Sequence, residues 1–127
     1  MKLFIKMSNP QIELAGGTNV GLVRQNNEDN YIISDFGEFG TILGVADGMG
    51  GENAGEVASA IAVRTIQERF TPEQLKDITQ SDKNILEFMK DIVKEADLNI
   101  FQHSKEDETT RGMGTTIVMA WILGGKA

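Results

Sequence analysis

Cysteine is absent from the 127 residues. Disulfides, thiolate metal sites and thiol-nucleophile chemistry are therefore excluded. Basic side chains are the minority, 12 Lys and Arg against 19 Asp and Glu, a net charge of -7. A nucleic-acid surface, which needs clustered cations to neutralise phosphates, is not expected. Long apolar runs are missing too. The start, Met1 to Met7, offers only Leu3-Phe4-Ile5 before Lys6, too short for a signal-peptide core, and nothing later approaches a membrane span. No membrane association is expected, and a cytoplasmic protein is the default. Histidine occurs once, as His103, near the end of an expected helix where an imidazole is ordinary; a Ser-His-Asp triad is not indicated.

What is present suffices for one modest domain with a buried core: 40% hydrophobic and 24% charged residues. The acidic surplus reads most simply as a solvated, self-repelling surface, and it also suits a site that concentrates divalent cations. Gln11 to Ala15 alternates polar and apolar residues as a half-buried strand does. Gly16 to Asn19 then reads as turn material, and Tyr31-Ile32-Ile33 as a second strand. The uncharged run Thr41 to Ala46 is a buried third strand. The glycine-rich stretch Asp47 to Gly55 is expected to be irregular. From Ala54 the period changes. Val57, Ala58, Ile61, Ala62, Thr65 and Ile66 share one helical face, with Glu56, Arg64 and Glu68 off it. Thr71-Pro72-Glu73-Gln74 has the pattern of a capping box with proline in the first turn. A longer helix is expected from about Asp82 to His103, and an apolar strand from Thr115 to Leu123. The methionines read as core filler, and Glu106-Asp107-Glu108 as a solvated loop. The chain stops soon after a strand that would want a partner, an abrupt ending for a complete domain.

Three constellations could carry chemistry. In Arg24-Gln25-Asn26-Asn27-Glu28-Asp29-Asn30 a guanidinium stands four residues before a carboxylate pair. Arginine's planar fork matches phosphate oxygens, and Glu and Asp are hard oxygen ligands for Mg²⁺ or Mn²⁺. Taken alone it is also an ordinary charged loop. Asp47-Gly48-Met49-Gly50-Gly51 follows directly on the apolar strand, so Asp47 would project from a strand end. Gly48 has no side chain, so its carbonyl can approach a cation closely. A hairpin turn is the bland alternative, weakened because a helix follows. A nucleotide-binding loop lacks both GxxxxGK[ST] and GxGxxG. Arg111-Gly112-Met113-Gly114-Thr115-Thr116 enters the last strand, where its glycines suit close packing more than catalysis.

Taken in order, Gly21-Leu22-Val23-Arg24-Gln25-Asn26-Asn27-Glu28-Asp29, Val45 to Gly51, Ala54 to Ser59 and Gly112 to Thr116 resemble the metal-dependent Ser/Thr protein phosphatases of the type 2C class, particularly the compact bacterial ones. The resemblance covers nearly all of the chain from about Thr18. It implies an α+β fold, the N-terminal portion of an α-β-β-α sandwich of two antiparallel sheets flanked by helices. Residues 1–127 would be the N-terminal part of one catalytic domain whose C-terminal part lies outside this chain. Asp47 would bridge two metal ions, Mg²⁺ or Mn²⁺, and activate water. Gly48 would lend its backbone carbonyl, Glu28 would hold a metal partly through water, and Arg24 would grip the substrate phosphate. The reaction implied is hydrolysis of phosphoserine or phosphothreonine in protein substrates, opposing a Ser/Thr kinase, by a metal-activated water. Some bacterial members place an acid just before the glycine-threonine motif for a third metal. Here Thr109 and Thr110 stand closest, with Asp107 and Glu108 upstream, so no third-site ligand is assigned. The family's further metal-binding aspartates lie beyond that motif. The chain by itself is accordingly expected to be inactive. A non-catalytic regulatory or binding module keeping the front half of the fold is the alternative.

Overall fold

The computed structural model describes residues 2–8, 11–18, 27–51 and 53–124, with residues 2–15 given by backbone alone. Two antiparallel sheets are present. Strands β1 (Lys2–Ser8) and β2 (Gln11–Gly17) pair in register from Lys2↔Gly17 to Ser8↔Gln11. Strands β3 (Asp29–Asp35), β4 (Thr41–Met49) and β5 (Gly114–Ile122) form the second sheet with β4 in the middle. Helices α1 (Ala54–Arg69), α2 (Pro72–Ile78) and α3 (Asp82–Glu106) lie between β4 and β5 in the chain. The expected α+β class with two antiparallel sheets is observed.

Alternation along β4 decides which face of the sheet is covered. Ile42, Gly44, Ala46 and Gly48 are buried, and α1 packs on β3, β4 and β5. The covering face of α1 is small, with Ala54, Ala58 and Ala62 almost fully buried, so helix and strands approach closely. Its buried Ile61, Thr65 and Ile66 and exposed Glu56, Arg64 and Glu68 follow the helical period read from the sequence. α3 stacks on α1 through Phe88, Ile92, Ala96 and Ile100. Arg69 ties the two helices by pairing with Glu95 while its guanidinium lies over the Phe88 ring. At one end of this core Phe70 meets Trp121 edge-on with centroids 5.1 Å apart and Phe88 at 5.3 Å. The Trp121 Nε1–H donates to the Phe39 carbonyl at 2.8 Å, so the indole is buried without leaving its polar atom unpaired.

Several expectations need correction. Residues Lys2–Ser8, read only as too short for a signal core, form β1, and Gly16–Gly17 extend β2 rather than turning. The stretch Asp47 to Gly55 is mostly regular: β4 runs on through Met49 and α1 begins at Ala54. Thr71 holds the backbone of a helix cap and Pro72 occupies the first turn, but the threonine side chain makes no capping bond. Met113 is core, whereas Met49 is 65% exposed and fills nothing. Asp107 is not a loosely solvated loop residue, since it caps the short 3₁₀ turn Glu108–Thr110.

Phe70 joins the strand, helix and aromatic parts of the core. Phe70→Ala is expected to lower the unfolding free energy by about 3–5 kcal/mol, the usual range for a buried aromatic cut to a methyl, as read from the urea midpoint at unchanged slope.

Candidate metal centre at the β4–α1 junction

The end of β4, the residues leading into β3 and the first turn of α1 converge at one point. Glu28 stands opposite Gly48, whose N–H donates to the Glu28 carbonyl at 3.0 Å. The neighbouring pair, Asp29↔Asp47, is therefore of the non-hydrogen-bonded kind, in which facing side chains lie closest. Asp47 is exposed and points away from the helices, because Ala46 and Gly48 on either side are buried beneath α1. Two carboxylates thus stand directly opposite each other on one face.

Glu28 turns the other way. A Cβ built on Gly55 would lie 2.6 Å from its carboxyl carbon and 2.7 Å from Oε2, so the carboxylate rests on the first turn of α1. There the partial positive charge of the helix start favours it. The same glycine meets Gly48: a Cβ on Gly48 would clash with the Gly55 carbonyl oxygen. Both positions must therefore lack side chains for β4 and α1 to cross as they do. This requirement, not a turn, explains the glycines of Asp47-Gly48 and Ala54-Gly55.

The loop before β3 is held by Asn27. Its side-chain oxygen accepts from the Asp29 N–H at 3.1 Å and its amide donates to the Thr18 hydroxyl at 2.8 Å. Thr116, opposite Asp47 on β5, donates from its hydroxyl to the Asp47 carbonyl at 3.4 Å. The glycine-threonine motif thus buttresses the strand end from the other side, the structural role expected of it. Arg24 lies outside the described residues.

The donors are of the kind a hard divalent cation takes: the Asp29 and Asp47 carboxylates on the open face, and the Glu28 carboxylate on the α1 side of the strand end. They do not form a full cage, because no group of three or more carboxylates or imidazoles converges among the described residues. Asp29 was read from sequence as half of a carboxylate pair and given no metal role. Its place opposite Asp47 follows from strand register, which the sequence does not display.

Asp107, upstream of the glycine-threonine motif, is occupied otherwise. Its carboxylate accepts from the Thr109 hydroxyl at 2.6 Å and the Thr109 N–H at 3.0 Å. Those bonds, the hydroxyl's first, hold its carboxyl below the ordinary value of 3.8.

Two outcomes are expected. Gly→Ala at an unconstrained helix position stabilises by roughly 0.5–1 kcal/mol, but Gly48→Ala should destabilise by about 3 kcal/mol, at the upper end of overpacking costs. Urea unfolding of the two proteins gives the sign. Asp107 has a depressed carboxyl, so its cap contributes fully above pH 3.8 and is lost as pH falls through the lower folded value. The Thr109 amide resonance should titrate with a midpoint below 3.8 in the native chain and show no such step in Asp107→Asn.

Comparison with known proteins follows the same outline. Residues 19–127 match the family described as Protein phosphatase 2C. The chain is 34% identical over 105 residues to a serine/threonine phosphatase stp of Listeria monocytogenes, covering 81% of this chain and 40% of the relative. It is 31% identical over 118 residues to protein phosphatase PhpP of Streptococcus pneumoniae, covering 91% and 45%. Among solved structures, the Mycobacterium tuberculosis serine/threonine phosphatase PstP/Ppp superposes with a TM-score of 0.66 at 31% identity, covering 84% of this chain and 40% of that one. Stp1 of Staphylococcus aureus gives 0.73 at 26% identity, covering 97% and 42%. The chain thus spans 40% to 45% of the length of these curated relatives. Four ordered motifs, the two-sheet fold and the family match agree: the chain belongs to the bacterial type 2C Ser/Thr protein phosphatases, of which it spans an N-terminal part.

Proposed function

We propose that this chain is the N-terminal part of a single catalytic domain and supplies the first half of a two-metal centre that hydrolyses phosphoserine and phosphothreonine in proteins. The Asp29–Asp47 pair carries the reading. Its register sets two hard oxygen donors side by side on one face of the strand end, the donor type that Mg²⁺ and Mn²⁺ take. Asp47 would bridge the two ions, Gly48 would present its backbone carbonyl, and Glu28, on the α1 side of the strand end, would hold a metal partly through water. Asp29 joins them across the ladder. Bound Mg²⁺ or Mn²⁺ would lower the pKa of a water molecule and neutralise charge on the phosphoryl oxygens.

The chain's own residues have the remaining tasks. Arg24 would orient the substrate phosphate through its two-pronged guanidinium. Asp47 would set the water's position, and the Gly48–Gly55 contact would hold the end of β4 against α1. With 12 cationic and 19 anionic side chains, the protein would rely on Arg24 and the metals, rather than a basic field, to draw in a phosphorylated substrate. No helix among the described residues is long and apolar enough to cross a membrane. A cytoplasmic enzyme opposing a Ser/Thr kinase is the setting proposed.

The test is Mn²⁺ titration of the 127-residue chain, followed through the spin resonance of the free ion, with p-nitrophenyl phosphate turnover in parallel. Weak Mn²⁺ uptake that Asp47→Asn abolishes is expected, together with negligible turnover, because the ligand set is incomplete. Uptake unchanged in Asp47→Asn would refute the metal assignment. Brisk, chelator-sensitive hydrolysis would refute the incompleteness.

A further inference from the structure

We infer that Asn30 and Ser59 form a positioning pair that sets Glu28 and Asp29 in register for the metal centre, an inference that rests on the metal reading above. The Asn30 side-chain amide donates to the Ser59 hydroxyl at 2.8 Å, and that hydroxyl donates in turn to the Glu56 carbonyl at 3.1 Å. Ser59 is fully buried, beside the small apolar residues Ala54, Gly55, Ala58 and Ala62 of the helix. Methyl-lined faces slide easily. Apolar packing has no direction, and nothing in it distinguishes one offset of β3 along α1 from a neighbouring one.

Geometry makes this one polar contact decisive. Glu28 meets Gly55 and Asn30 meets Ser59, two residues along the strand against four along the helix. Two strand residues advance about 6.6–6.8 Å and four helix residues about 6 Å, so the contacts run in step. The Asn30–Ser59 bond therefore fixes where the Glu28 carboxylate lands on the first turn of α1. Through the ladder it also fixes the Glu28 carbonyl on the Gly48 N–H, and Asp29 opposite Asp47. A strand displaced by one residue would reverse the face of every side chain on it. Neither Asn30 nor Ser59 needs to touch a metal. They act on it as outer partners of ligands do.

The test uses the full 127-residue chain with Ser59→Ala, Asn30→Ala and the double variant, at a temperature where all remain folded. In the metal-free protein, exchange of the Gly48 amide should quicken about tenfold in Ser59→Ala relative to amides in the middle of β4. A merely structural loss would speed all of them together. Mn²⁺ affinity should fall about tenfold in each single variant, the lower end for outer-partner substitutions. It should fall no further in the double, the non-additivity of two groups acting through one bond. Unchanged affinity and unchanged Gly48 exchange in Ser59→Ala would overturn this inference alone. Failure of the unsubstituted chain to take up Mn²⁺ would remove the metal reading and this inference with it.

Discussion

Backbone meets backbone where β4 ends and α1 begins, and the rest of the molecule is arranged to permit it. Gly48 and Gly55 approach so closely that neither position has room for a Cβ. That contact closes the chain reversal between the end of β4 at Met49 and the start of α1 at Ala54 and presses α1 onto the middle of the sheet. The alanine face of α1 is the same requirement continued: small side chains at 54, 58 and 62 hold the helix near the strands along its length. A bulkier face would lift α1 and separate the Glu28 carboxylate from the helix start that favours it. What serves packing at one end of the helix thus serves electrostatics at the other.

Distance from the site does not make the aromatic cluster irrelevant to it. Phe70, at the far end of α1, is wedged between Phe88 of α3 and Trp121 of β5. α1 is thus held at both termini, by the Gly48–Gly55 contact at its start and by aromatics at its end. The Arg69–Glu95 pair adds little by itself, being partly exposed. Burial carries the weight, with α1 covering the sheet and the long amphipathic α3 covering α1.

Much of this was legible in the sequence because it depends on period. The strands at 31–33, 41–46 and 115–123 and the two longer helices were set by runs of apolar residues at spacing two, or three and four. The four motifs were legible as an ordered set. What was not legible depends on contacts between distant segments. Asp47-Gly48-Met49 looked irregular because glycine weakens an isolated strand; it is held extended by β3, β5 and the first turn of α1. Asp29 could not be paired with Asp47 without the register of β3 on β4. The Thr71 capping bond failed for the opposite reason, being a local pattern whose side chain the fold leaves unused while the Thr71 backbone and Pro72 start the helix.

Strand alternation explains why the carboxylates occur in adjacent positions. Glu28 and Asp29 are neighbours, so they point to opposite faces of the same strand end; Asp47 and Gly48 do likewise on the partner strand. Each strand therefore contributes one group to the helix side and one to the open side. On the helix side the pair is a carboxylate and a glycine, because α1 leaves no room for more. On the open side it is two carboxylates, Asp29 and Asp47. A Glu-Asp dipeptide opposite an Asp-Gly dipeptide is the shortest arrangement that satisfies both faces at once. The same four residues that let the helix dock thus leave paired charge on the surface where a metal would be held.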